Sequence, residues 1–170
     1  MNNVRKAVRD HVQSRPGVHF SELTRDLDIA TGQAQYHLRR LCKGGSLVKE
    51  SLRGRTHYFP EEYDAWERRV LALLRRESVR EIIAYAFEEG EPSAADLAAD
   101  LDVARSTISW HVSTLVDAGV AEKTYDSRGR VHVQLTRPRE TQRLMNEIRP
   151  SLPDRIVDRF TRLVDENLYG

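Results

Sequence analysis

The sequence has little cysteine, no long apolar run and no signal peptide. Cys42 is the only cysteine in 170 residues, which excludes a disulfide framework and a zinc site built from thiolates. The longest apolar runs, residues 70–74 and 82–87, are far too short to span a bilayer. The chain begins Met-Asn-Asn and continues into a charged helical pattern instead of a signal peptide. We therefore expect a cytoplasmic protein.

Sequence signatures of catalysis and of metal binding are also missing. The chain has no P-loop, no Gly-x-Ser-x-Gly nucleophile elbow and no His-Glu-x-x-His zinc motif. None of its six histidines belongs to a His-x-x-x-His pair or a Cys/His cluster with ligand spacing. We expect no enzymatic activity and no bound cofactor or metal. Cys42 lies on an apolar helical stripe, so we interpret it as a small core residue; a redox-sensing thiol is the alternative.

An internal repeat indicates the architecture. Residues 23–45 align without gaps on residues 97–119, and 8 of the 23 pairs are identical. An Arg-Gly-Arg tripeptide follows each copy, at residues 53–55 and 128–130. A repeat of this kind predicts two similar supersecondary units, and histidines that recur in both copies favour a structural role over metal sensing. The identical pairs include Leu27/Leu101, Asp28/Asp102, His37/His111, Leu41/Leu115 and Gly45/Gly119.

The second copy shows the pattern of a helix-turn-helix clearly. Ser93 can cap a first helix, residues 102–104 form the corner, and a second helix starts near Arg105 and ends at Ala118-Gly119. A stripe at helical spacing predicts the buried face of this second helix: Ile108, Val112, Leu115 and Val116.

A β-hairpin is predicted after each helix-turn-helix, which completes the plan of a winged helix. The first hairpin turns at Arg53-Gly54, and the second has a longer turn at residues 126–129. The predicted strands are residues 47–52 and 55–59 in the first copy, and residues 120–125 and 130–135 in the second.

These patterns predict a mainly α protein with small β-hairpin wings, an α+β fold. We predict one winged helix-turn-helix domain at residues 1–60 and a second at residues 78–136. A linker helix at residues 61–77 joins them, and a helical tail occupies residues 137–170.

The linker helix is expected to begin at Pro60, since proline favours the first turn of a helix. Its apolar stripe either packs on the protein's own domains or forms a dimer contact. A capping box at residues 78–81 is expected to open the second domain. The stripe consists of Tyr63, Trp66, Val70, Leu73 and Leu74.

The helix RSTISWHVSTL, residues 105–115, resembles the recognition helix of winged helix-turn-helix transcription regulators, particularly the ArsR- and MarR-like groups. The tandem arrangement is similar to archaeal regulators that carry two winged helices in one chain. The resemblance covers most of residues 4–136. It implies a sequence-specific DNA-binding transcription regulator whose third helices enter major grooves.

The residues expected to contact DNA lie on the exposed face of each third helix and on the wings. Glutamine can pair with adenine edges, and arginine with guanine or phosphate. In the first copy the helix residues are Thr31, Gln33, Gln35, Tyr36, Arg39 and Arg40. In the second they are Arg105, Ser106, Thr107, Ser109, Trp110 and Ser113. The wing arginines are Arg53, Arg55, Arg128 and Arg130, expected at phosphate or in the minor groove.

Charge is distributed unevenly along the chain. Residues 1–59 carry 11 basic and 5 acidic side chains, whereas residues 60–170 carry 16 and 21. The first domain is therefore the expected DNA anchor. The second domain, with 5 basic and 10 acidic side chains, has an alternative interpretation as a dimerisation or partner module.

The predicted partner is double-stranded operator DNA, bound by a homodimer formed through the linker or C-terminal helices, with no membrane association. The alternative is a winged-helix protein-interaction module or transcription-machinery subunit without specific DNA binding.

Overall fold

The computed structural model describes residues 3–151. These residues form two compact units, the first ending at Ala72 and the second beginning at Leu73. Each unit is mainly helical with a small antiparallel sheet, so the predicted fold class is confirmed. The part of the predicted tail beyond residue 151 lies outside the described residues. Within residues 3–151, no helix is both long and apolar enough to cross a membrane.

The two units repeat the order of helices and strands. The first comprises α1 Asn3–Ser14, β1 Val18–His19, α2 Phe20–Leu27, α3 Thr31–Lys43, β2 Leu47–Leu52 and β3 Arg55–Pro60, and α4 Ala65–Leu74 leads into the second. The second comprises α5 Glu77–Glu89, α6 Ala94–Asp100, α7 Arg105–Asp117, β4 Ala121–Tyr125, β5 Val131–Leu135, α8 Pro138–Ile148 and a 3₁₀ turn at Arg149–Ser151.

The first unit is held by aliphatic side chains from its three short helices. Val8 and Val12, one turn apart on α1, are fully buried with Leu23 of α2 and Leu38 of α3. Each such side chain contributes about 1.5–3 kcal/mol on burial, whereas an exposed ion pair contributes about 0–1 kcal/mol. The position of α3 therefore depends mainly on this core.

The wings form as predicted, with one addition. In the first unit Leu52 pairs with Arg55, so Arg53 and Gly54 make a two-residue turn with φ of 51° and 74°, which matches the twist of a hairpin. The short strand β1 was not predicted; it pairs with β3 and makes a three-stranded sheet of order β1-β3-β2. In the second unit a single bridge from Ser93 to His132 takes that position.

The helix-turn-helix of the second unit follows the sequence prediction closely. Ser93 caps α6: its hydroxyl oxygen accepts a hydrogen bond from the Asp96 amide at 3.0 Å, and Asp96 bonds back to the Ser93 amide. α7 begins at Arg105 as expected. Ile108, Val112 and Leu115 are buried, which turns the opposite face of α7 to solvent. Val116, predicted on the same buried stripe, is only half-buried.

The linker helix is shorter than expected at both ends. Pro60 ends β3, where it pairs with Leu47, and α4 begins only at Ala65. Asp64 and Glu67 determine this start, because each side chain accepts the other residue's amide, at 2.8 and 2.9 Å. This reciprocal cap satisfies donors that no preceding turn could satisfy.

The capping box expected at residues 78–81 is wrong. α5 begins at Glu77, and Arg76 occupies its N-cap position without a side-chain cap bond. The serine therefore falls inside the first turn of the helix.

The apolar face of α4 is buried within the single chain. Trp66, Val70, Leu71 and Leu74 are all at least nine-tenths buried. This favours the interpretation of α4 as a helix packed on its own chain over that of a dimer contact.

We predict that Ser93→Ala lowers the free energy of unfolding of the second unit by about 1 kcal/mol, because the substitution leaves the Asp96 amide at the start of α6 without its acceptor. Urea denaturation of chains that also carry Trp66→Phe, followed by Trp110 fluorescence, measures the loss. Ser106→Ala is the matched control, since Ser106 is exposed on α7. Equal midpoints for the two variants would contradict the capping role.

Candidate nucleic-acid interface

α3 separates its apolar and polar side chains cleanly between two faces. Its buried residues are Ala34, His37, Leu38 and Leu41. The opposite face is solvent-exposed and carries two arginines. The six predicted contact residues on it are all exposed: Thr31, Gln33, Gln35, Tyr36, Arg39 and Arg40.

An aromatic ring stands at the centre of this face with a cation on one side and a histidine behind it. Tyr36 is 51% exposed, and the Arg40 guanidinium lies 5.8 Å from the centroid of its ring. The His37 ring meets Tyr36 edge-on at 5.1 Å. Burial, reinforced by the charges of Arg5 and Arg40, lowers the pKa of His37. His37 is therefore neutral at pH 7 and supports the ring from the core side.

A groove of about 620 Å³ lies between the start of α2, the middle of α3 and the tip of the first wing. It brings together two predicted contact residues, Gln35 of α3 and Arg55 of the wing. Among residues 3–151, the side chains of Arg39 and Arg55 make no ion pair. Their charges are therefore not neutralised by the described protein. The other residues that line the groove are His19, Phe20, Ser21, Gly54, Thr56 and Tyr58.

The exposed face of α7 is polar but carries little charge. Five of its six predicted contact residues are exposed: Arg105, Ser106, Thr107, Ser109 and Trp110. Ser113 is half-buried, so it presents less of its hydroxyl than the sequence suggested.

Trp110 of α7 has surroundings like those of Tyr36. It is 49% exposed, and His111 meets it edge-on at 5.0 Å. The Arg76 guanidinium lies 5.9 Å from the centroid of the Trp110 ring. The sequence placed Arg76 in the linker, and no local pattern links it to a helix that starts 29 positions later, so this neighbour was missed.

In the second wing, an aspartate in the turn pairs with one of the wing arginines. The Asp126 carboxylate accepts the amides of Arg128 and Arg130 at 2.8 and 2.9 Å and the Arg130 Nε–H at 2.7 Å. His132 Nε2 lies 3.3 Å from the same carboxylate. These hydrogen bonds, led by the Arg130 amide, hold the pKa of Asp126 well below its usual range. Arg130 is exposed, as predicted, but already paired with a carboxylate.

Asp126 was not among the predicted functional residues. Aspartate at the start of a turn commonly accepts amides two residues further on, which is the signal that could have identified it.

In both units the histidine on the second wing strand lies within hydrogen-bond distance of a backbone carbonyl. Nδ1 of His57 lies 2.7 Å from the Gly17 carbonyl, and Nδ1 of His132 lies 2.9 Å from the Glu91 carbonyl. Each contact ties a wing strand to the loop before the second helix of its unit. The Glu91 carbonyl, followed by Asp126, raises the pKa of His132.

Comparison with known proteins agrees with this geometry. A family described as an N-terminal HTH (helix-turn-helix) domain matches residues 2–71, and one described as a helix-turn-helix domain matches residues 68–124. The chain carries two helix-turn-helix domains. No solved structure matches it. The finer resemblance to the ArsR- and MarR-like groups stays a prediction.

One curated relative is an uncharacterized HTH-type transcriptional regulator of Methanocaldococcus jannaschii. It is 23% identical to this chain over 122 residues, which are 72% of this chain and 31% of the relative. The matched part is therefore about a third of the relative's length.

We predict opposite titration shifts for two histidines. By NMR, the pKa of His37 should lie below the ordinary value of 6.5 and that of His132 above it. Burial disfavours the charged His37 ring, whereas the Glu91 carbonyl and then the Asp126 carboxylate favour the charged His132 ring. In Asp126→Asn, the His132 pKa should fall while that of His37 stays unchanged. A His132 pKa that does not respond would mean that Asp126 does not act on the ring.

Proposed function

We propose that the protein is a sequence-specific, double-stranded DNA-binding transcription regulator. The third helices α3 and α7 enter major grooves, and wing arginines contact phosphate or the minor groove. The observation that carries this proposal is the exposed face of α3, whose Arg39 makes no ion pair within the described residues. The name of the relative as a transcriptional regulator supports it.

The chemistry of this face suits base edges and phosphates. Gln33 and Gln35 can donate and accept in pairs with adenine, and Arg39 and Arg40 can reach guanine or phosphate. Each good bidentate contact gives about 1–3 kcal/mol of discrimination between bases. The first wing adds Arg55, on the far side of the groove from α3.

The first unit is the stronger anchor in this proposal. Phosphate contacts release counterions in proportion to the number of charges neutralised. Arg39 and Arg55 hold no carboxylate among residues 3–151, whereas Arg130 is bound to Asp126 at 2.7 Å. A phosphate near the second wing must therefore compete with that carboxylate for the Arg130 guanidinium.

The assembly we propose is a homodimer on a palindromic operator, with half-sites about 34–36 Å apart. The linker part of the expected dimer contact loses support, because the apolar face of α4 is buried within one chain. Sedimentation of the full chain measures the oligomeric state.

A second candidate function applies to the second unit, namely a protein-interaction module without specific DNA binding. The observation in its favour is the low positive charge of α7 and its wing, where Arg130 is paired internally. Substitutions on α7 would then leave selective DNA binding unchanged.

We predict that Arg39→Ala with Arg40→Ala weakens binding to a duplex selected by the wild-type protein by about 30-fold or more, the loss of two contacts. The slope of log affinity against log salt should also become shallower. Fluorescence anisotropy of a labelled duplex at several salt concentrations measures both quantities.

The matched control for this pair is Lys6→Ala with Arg25→Ala. It removes the same charge from exposed positions on α1 and α2. If both double variants lose affinity equally, the effect is one of overall charge and α3 is not the reading helix.

A further inference from the structure

α7 lacks the cations that α3 provides for itself. Arg39 and Arg40 of α3 align with Ser113 and Thr114 in the second copy of the repeat. Thr114 is buried, and its hydroxyl donates to the Trp110 carbonyl at 2.8 Å. Arg105, in the first turn, is the only basic residue of α7 apart from His111.

Arg76 supplies a cation to α7 from outside the helix-turn-helix. Its guanidinium lies 5.9 Å from the Trp110 ring centroid, and that of Arg40 lies 5.8 Å from the Tyr36 ring centroid. The histidine behind each ring is placed alike, at interplanar angles of 74° and 72°. Both units thus present a half-exposed ring between a histidine and a guanidinium, although the guanidinium comes from different places in the fold.

The arginine at the ring comes from α3 in the first unit and from the N-cap position of α5 in the second.

The backbone of Arg76 is fixed at the turn between α4 and α5. Its amide donates to the Leu73 carbonyl at 3.0 Å, and its carbonyl accepts from the Arg80 amide at 3.2 Å. The buried Arg80 side chain also donates to the Leu74 carbonyl at 2.6 Å. A guanidinium that starts from a held backbone and rests against a ring loses little freedom when it binds an anion.

We propose that Arg76 belongs to the DNA-contacting surface of the second unit, where its guanidinium positions the Trp110 ring and binds a backbone phosphate beside α7. Arginine suits this double role, because its planar group stacks on aromatic rings while its edge donates to phosphate oxygens. The inference rests on the proposed DNA-binding function and adds a residue outside both helix-turn-helix motifs.

The test uses the full chain with Trp66→Phe, which leaves Trp110 as the only tryptophan. A duplex selected by the wild-type protein is titrated with this protein and with its Arg76→Gln variant. We expect Arg76→Gln to weaken binding by about tenfold, to make the salt slope shallower by about 1 and to alter the change in Trp110 emission on binding.

Two further variants separate a phosphate contact from other effects. Arg75→Gln removes the same charge from the adjacent position and should leave affinity and salt slope unchanged. Arg76→Lys keeps the positive charge, so it should retain the wild-type salt slope. It therefore shows whether a loss in Arg76→Gln comes from the missing charge or from disturbed packing.

Three outcomes would count against the inference. Equal affinities and slopes for Arg75→Gln and Arg76→Gln would show that Arg76 makes no specific contact. A salt slope lost equally in Arg76→Lys and Arg76→Gln would assign the effect to packing against Trp110. If the wild-type protein binds selected and unselected duplexes alike, the proposed function itself fails, a result that is distinguishable from the other two.

Discussion

The exposed face of each third helix depends on an aspartate in the left-handed backbone conformation. Asp28 ends α2 with a φ of 48°, and Asp102 follows α6 with a φ of 52°. At each corner two amides bond back to carbonyls of the helix that has just ended, which satisfies acceptors that would otherwise lack partners. Aspartate tolerates this conformation better than most side chains. The third helix then begins three residues later in both units, at Thr31 and Arg105.

The corner directs the helix, and the core then fixes its rotation about its own axis. Leu38 of α3 and Val112 of α7 occupy aligned positions in the repeat and are both buried. The histidine before each of them is buried as well and supports an aromatic ring that is half in solvent. Burial lowers the pKa of His37, so this histidine is neutral at pH 7. The cation beside the Tyr36 ring is therefore the guanidinium of Arg40. Which side chains of each third helix are exposed is thus determined by packing in the core.

Features that depend on neighbours in the sequence were predictable. The α7 boundary at Arg105, the Ser93 cap and the Arg53-Gly54 turn follow from local spacing and backbone preference. Features that depend on tertiary contact were not. The two-residue strand β1 exists only because β3 lies beside it, and the Arg76 guanidinium reaches the Trp110 ring from the N-cap position of α5, a helix distant from α7 in the sequence. The DNA contacts remain predictions, since exposure shows which side chains are accessible and not what they bind.

The two wings show why a sequence motif is an incomplete guide to electrostatics. Both contain Arg-Gly-Arg, yet the first turn has only Arg53 and Gly54 between its strands, with no carboxylate. The longer second turn includes Asp126, and its backbone places the carboxylate where it accepts two amides and the Arg130 guanidinium. The carboxylate orders the turn and at the same time offsets the charge that a phosphate would require. Asp126 therefore reduces the positive charge that the second wing presents, although both wings contain the same Arg-Gly-Arg tripeptide.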